Sequence, residues 1–204
     1  MTELEPLERA ISPQFFLGFE CACPLYGGKF EKHHMLPLLC ELIGEKPLAE
    51  VSCGYRDDGL YFAVDFLKKG LTKDDTIELF IDTRPSSSQK TTTRFCHHFR
   101  FYPEPTEGIQ AEEVTRFRTE DRHPLCSSDL LQIEKKEGTK GKAHIVLFIP
   151  REALVGYDPQ ESRTFGFTYI LTRNKEEKQH FSMSSLYSDI EFRPYQWALM
   201  QCEE

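Results

Sequence analysis

Apolar and polar residues alternate in short stretches along most of this chain, and that period of two predicts strands rather than helices. Phe15 to Cys23 is the first candidate strand. Ala49, Val51, Cys53 and Tyr55 then share one face, Asp57-Asp58-Gly59 supplies a turn, and Leu60 to Phe66 returns as the partner of a hairpin. Thr76 to Asp82 places Ile77, Leu79 and Ile81 on one side. Thr92 to Phe101 places Phe95, His97, Phe99 and Phe101 on one face, with Arg94, Cys96, His98 and Arg100 on the other. Val114 to Arg118, Leu130 to Lys135, Ala143 to Ile149, Phe165 to Leu171 and Trp197 to Met200 continue the series. Helix signals are confined to Leu36 to Leu42 and to Pro150-Arg151-Glu152-Ala153-Leu154, where Pro stands at a favourable first position. Short strands separated by turns at this spacing predict an all-β antiparallel sandwich, jelly-roll-like, with one or two short helical turns. The expected sheets have five or six strands each.

No repeat and no low-complexity linker divides the 204 residues, so residues 1–204 read as a single domain. The polar stretches Pro85 to Lys90 and Lys135 to Lys142 are short enough to be loops between strands. Sixteen Phe against one Trp reinforces the strand reading. A net charge of −8 argues against nucleic acid or an anionic membrane as partner, since both call for a basic face. No apolar run approaches the roughly 20 residues of a membrane helix. The opening MTELEPLERAIS lacks a basic segment leading into an apolar one, and the seven cysteines follow no framework spacing. A cytoplasmic location with free, mainly buried thiols is therefore expected.

Four segments, in order, resemble the family 9 carbohydrate-binding modules and the wider superfamily that includes DOMON-type domains. They are Ala49 to Phe66, Asp75 to Asp82 with its alternating D-T-I-E-L-F-I-D, Phe165 to Tyr169, and Tyr195-Gln196-Trp197-Ala198-Leu199. The resemblance spans most of the chain and implies an antiparallel sandwich without catalytic machinery. Sugar-binding members clamp a ring between aromatics, commonly Trp. The single Trp here, Trp197, falls in a closing strand where a core role is expected.

The candidate chemistry centres on Thr91 to Phe101. Adjacent His97 and His98 point to opposite faces of a strand, so the pair is not one metal site; His97 reads as a hydrogen-bonded core histidine. Arg94, His98 and Arg100, with Asp82 and Arg84 from the neighbouring strand end, form the candidate ligand-binding set: arginine for hydroxyls or a carboxylate, His98 as a neutral donor or acceptor. No cofactor is expected; a structural calcium on Asp74, Asp75, Glu78 and Asp82 is the one alternative, and it lacks a calcium loop of fixed spacing. Cys21 and Cys23 with His33 and His34 do not have the spacing of a zinc site. No nucleophile elbow, phosphate loop, dinucleotide fingerprint or zincin helix is present, so no enzyme is expected. The reading is a non-catalytic binding module for a saccharide or another polar small molecule. A protein-interaction module that has lost the sugar cleft is the alternative, and a metal-dependent enzyme using His97 or His98 the second.

Overall fold

The computed structural model describes residues 19–86, 89–137, 142–181, 183–186 and 189–203. Eleven strands form the body of the fold: β1 (Glu20–Pro24), β2 (Ala49–Arg56), β3 (Gly59–Phe66), β4 (Thr76–Asp82), β5 (Cys96–Thr106), β6 (Ile109–Glu113), β7 (Gln132–Glu137), β8 (Ala143–Pro150), β9 (Thr164–Arg173), β10 (Glu177–His180) and β11 (Ala198–Glu203). The one α-helix among the described residues, α1 (Leu39–Leu42), falls inside the expected Leu36 to Leu42. The Pro150-led segment makes a short 3-10 turn, Arg151–Ala153. Phe15 to Gly18, the start of the first expected strand, lie outside the described residues, as do Ser87, Ser88 and positions 138–141 of the two polar loops.

The strands form two sheets. One runs β1-β11-β9-β4-β5-β6 with β10 also on β9; the other runs β2-β3-β8-β7. All pairs are antiparallel except β1 with β11. The split is seven and four rather than two near-equal sheets. The reason is β9, whose ten residues offer one edge to two strands: Thr164 to Phe167 pair with β11, and Ile170 to Arg173 pair with β10.

The alternation of the sequence becomes the packing between the sheets. Val51 and Cys53 of β2, Phe62, Val64 and Phe66 of β3, and Ile145 and Leu147 of β8 face Ile77, Leu79, Ile81, Phe99, Phe101, Phe167 and Tyr169 across one core. Burying a side chain of this kind contributes roughly 1.5–3 kcal/mol against conformational entropy. Gln179 ties the layers at their edge. Its Oε1 accepts from the backbone N–H groups of Leu48 (2.6 Å) and Ala49 (3.1 Å), and its Nε2 donates to the Ala49 carbonyl (3.1 Å) and the Tyr169 hydroxyl (2.8 Å). The Asp57-Asp58-Gly59 turn demands its glycine: φ is +148°, and a Cβ there would lie 2.2 Å from the Ile149 carbonyl oxygen.

Two expected strands are displaced. Thr92 to Phe101 becomes strand only from Cys96, so Arg94 is not on the face that carries His98. Val114 to Arg118 is irregular, and the strand lies just before it, at β6. There the Val114 amide still donates to the His98 carbonyl (2.8 Å), but the His98 amide donates to the Thr115 hydroxyl (2.8 Å). A side chain has taken a ladder position, and the pairing stops.

Candidate functional site

The outer faces of the two sheets differ in kind. On the seven-stranded sheet, the register aligns His180, Ile170, Glu78, Arg100 and Glu112 in one row across five strands. Glu78 Oε2 accepts from Arg100 (3.3 Å) and lies 2.7 Å from His98 Nε2. Burial pushes the Glu78 carboxyl up, but the hydrogen bonds from His98 and Arg100 and the Arg100 charge outweigh it and hold the carboxyl below its ordinary range. Tyr102 donates to Glu112 (2.7 Å) beside them. At the far end His180 is buried with neither ring nitrogen hydrogen-bonded. Burial, aided by Lys178, pushes it down to about 4, so it is neutral at neutral pH.

The adjoining part of this face is roofed over. Phe80, Cys96, Met183, Ile190 and Trp197 form a second apolar cluster on it. Trp197 Nε1 donates to the Ile190 carbonyl (2.9 Å), and Phe80 stacks on His98 at 4.1 Å. Trp197 thus packs as expected, just before β11 rather than within it. The space left beside His98, lined by Thr92, Thr115, Phe192 and Trp197, is about 10 Å³, enough for one water.

The five residues expected to bind ligand fall into separate places. His98 and Arg100 meet through Glu78. Asp82 shares their face but closes its own cluster, accepting from the Arg84 amide (3.1 Å) and from Gln89 (3.1 Å); burial raises its carboxyl to about 6. The Arg84 guanidinium pairs with Glu161. Arg94 pairs with Asp121 (3.4 Å) and lies over the Phe95 ring. Of the four calcium candidates, Asp74 pairs with Lys175 (2.9 Å), Asp75 with Arg173 (3.3 Å), Glu78 with His98 and Arg100, and Asp82 as above, so each faces its own partners.

Among the described residues, the outer face of the four-stranded sheet is open. Tyr61 of β3 stacks between Phe148 of β8 (4.5 Å) and Tyr26 (4.3 Å), and Phe30 follows Tyr26 at 4.8 Å. Both faces of Tyr61 are therefore covered by neighbours. The row presents ring edges, together with the Phe148 face that the register turns towards Gln132 of β7. Tyr26, Tyr61, Phe148 and Val146 line a groove of about 450 Å³ rimmed by Asp58, Gln132 and Glu134. A second groove of about 410 Å³, lined by Tyr55, Arg56, Asp57 and Gln160, meets it at Asp58. The sequence reading passed over this row because Tyr26 lies in a loop and Tyr61 and Phe148 are more than eighty positions apart. The available signal was a large aromatic at the polar position of two strands already recognised.

A third group lies on the inner side of β5 and β6. His97 Nδ1 and His123 Nε2 stand 3.0 and 2.8 Å from Glu113 Oε1, which also accepts from the Thr115 hydroxyl (2.7 Å); the Cys126 amide donates to Oε2 (2.7 Å). His97 is buried and bonded, as the sequence pattern implied; its partner Glu113 comes from the next strand, and His123 reaches the same carboxylate from the loop beyond.

No family model matches the sequence, and no curated protein matches it. Solved structures do. A family 9 carbohydrate-binding module from Caldicellulosiruptor kristjanssonii in complex with cellotriose aligns at TM-score 0.61 and 10% identity, over 90% of this chain and 93% of that one. In complex with glucose it aligns at TM-score 0.63 and 9% identity, over 90% and 95%. A protein from Bacteroides uniformis ATCC 8492, for which carbohydrate binding is itself a suggestion, aligns at TM-score 0.56 and 11% identity, over 91% and 100%. The chain has the β-sandwich fold of the family 9 modules, as the four ordered segments implied; at these identities the likeness is one of fold.

Proposed function

We propose that this protein is a non-catalytic saccharide-binding module whose ligand lies in the groove on the outer face of the four-stranded sheet. The observation that carries the proposal is the aromatic row Tyr26, Tyr61 and Phe148 flooring an open groove with Asp58, Gln132 and Glu134 at its rim. A pyranose has apolar C–H faces and a girdle of hydroxyls, so it needs an aromatic surface beside carboxylates and amides, and the groove supplies both. The binding of glucose and cellotriose by proteins of the same fold supports β-linked glucose as the first class to try. The adjoining groove across Asp58 supports a chain of sugars over a single ring. Seven thiols without a disulfide support a reducing, cytoplasmic setting.

Titration with glucose, cellotriose and other short glucans, followed by calorimetry, tests the reading. The Tyr61→Ala variant should bind at least tenfold more weakly, a loss of about 1.4 kcal/mol or more. Tyr61 is half-exposed, so the variant should stay folded.

A second reading is favoured by His180, whose two unpartnered nitrogens end the polar row on the opposite face. There Arg100, with its side chain one-third exposed, and His98 would grip the sugar hydroxyls beside Glu78. The same titration separates the two. Binding lost in Arg100→Ala and kept in Tyr61→Ala moves the site to the seven-stranded sheet. Saturable binding by neither wild type nor variants removes the saccharide reading.

A further inference from the structure

The His97, Glu113 and His123 cluster raises a proton-counting question that hydrogen bonding alone answers poorly. His123 Nδ1 lies 2.6 Å from the Arg94 carbonyl oxygen and Nε2 lies 2.8 Å from Glu113 Oε1. Both neighbours are acceptors, and a neutral imidazole has one N–H. If Nδ1–H donates to the carbonyl, a lone pair on Nε2 points at a carboxylate. The same oxygen meets His97 Nδ1 at 3.0 Å, while His97 Nε2 is sealed from water and closes no well-formed hydrogen bond, the Val155 carbonyl being the acceptor on that side. Two imidazoles thus turn towards one carboxylate, His123 from a backbone carbonyl that holds its far side. That is how metal-bound histidines are ordinarily held, the distal N–H anchored to a carbonyl and the other nitrogen free to ligate.

We propose that His97 Nδ1, Glu113 and His123 Nε2 bind a divalent transition-metal ion, zinc by the character of the donors. The three ligand atoms lie within 4.8 Å of one another. A tetrahedral ion with bonds of ~2.0–2.1 Å spaces its ligands ~3.3 Å apart, and the carboxylate oxygen stands 3.0 and 2.8 Å from the two nitrogens, close to that spacing. The ion would relieve the lone-pair repulsion and neutralise a carboxylate that is otherwise sealed in the protein. The Cys126 amide and Thr115 hydroxyl already orient that carboxylate, and the half-buried Cys126 thiol lies against it. The side chains of His97 and Glu113 are fully sealed and that of His123 nearly so, which leaves no path from solvent by which a substrate could reach the fourth position. The centre is therefore structural. It fastens the 114–131 connection, through His123, to β5 and β6. It stands apart from the saccharide groove and does not depend on it.

The test uses the full chain, expressed with zinc and passed through a desalting column, with metal content measured by mass spectrometry. About one zinc per chain is expected, together with a lower thermal midpoint after chelation and recovery on adding zinc. Cobalt added to the stripped protein should give the visible absorption of a tetrahedral site. Glu113→Gln keeps the shape of the side chain, so it guards against simple misfolding; folded by circular dichroism, it should bind cobalt at least tenfold more weakly. Two results would overturn the proposal. One is a folded wild-type chain that retains no metal and gives no cobalt spectrum. The other is nitrogen NMR showing His123 protonated on both nitrogens at neutral pH and unmoved by zinc.

Discussion

The two outer faces of this sandwich come from the same alternating pattern, yet one is roofed and the other is open. On the seven-stranded sheet, Met183, Ile190 and Trp197 fold back over Phe80 and Cys96, leaving room beside His98 for a single water. On the four-stranded sheet, Tyr61 and Phe148 have the Tyr26 loop beside them among the described residues and line about 450 Å³ of open groove. An outward-pointing aromatic therefore has two fates here. Where the chain supplies its own cover, it joins a second core and contributes stability. Where the described residues supply none, it is left for a ligand, which is why we place the saccharide on the smaller sheet.

The largest expected effect breaks the roof. Trp197 is buried, and its N–H satisfies the Ile190 carbonyl at 2.9 Å. Trp197→Ala would leave a cavity against Phe80 and an orphaned carbonyl, costing about 3–5 kcal/mol in urea unfolding. Saccharide affinity measured below the transition should stay within roughly twofold, because no groove residue touches the roof. A stable variant with lost affinity would instead make Trp197 part of the binding site and reverse the comparison.

Acid should sharpen the contrast by a somewhat smaller amount. His180 is held near 4 when folded against an ordinary 6.5, so between those values the unfolded chain binds more protons. Its contribution is complete above pH 6.5 and falls away towards pH 4, by up to about 3 kcal/mol. Asp82 has the opposite sign. Its folded value near 6 stands above an ordinary 3.8, so the stability linked to its protonation is full below 3.8 and lost as pH rises through 6. The two oppose each other between pH 4 and 6. His97, also held down by burial, shares the sign of His180, so the effect is read as a difference between variants. Urea unfolding of His180→Leu should show less acid loss than wild type from pH 6.5 to 4.5, and Asp82→Asn more. Parallel curves for all three proteins would show that neither group is buried in the way described.

The fold was legible because its evidence is local. The β2–β3 hairpin, β4, β8 and β9 each announce themselves by parity, and Asp57-Asp58-Gly59 marks its own turn. β10 was not legible: Glu177 to His180 carries no alternation of its own, and it is a strand because β9 is long enough to hold it. The sites were less legible than the strands. Parity correctly divided His97 from His98, but which carboxylate each would meet depends on strand register, and register brings Glu113 and Glu78 to them from sixteen and twenty positions away. The aromatic row and the His123 contact require the folded loops themselves.

The smallest effect concerns Arg94, and it separates a side chain from its own backbone. The guanidinium is more than half exposed, 3.4 Å from a comparably exposed Asp121 and 5.2 Å from the centre of the Phe95 ring. Exposed pairs of this kind are worth ~0–1 kcal/mol, and the ring contact adds ~0.5–1 kcal/mol at most. Yet the Arg94 carbonyl holds His123 at 2.6 Å and so helps to orient the buried cluster. Arg94→Ala removes the first role and keeps the second. It should therefore change urea stability by less than about 1 kcal/mol, with zinc content and saccharide affinity as in wild type. A loss of zinc would mean that the guanidinium, and not the carbonyl alone, positions the loop that carries His123. A loss of saccharide binding would restore Arg94 to the ligand site although it lies outside β5, the strand that carries His98.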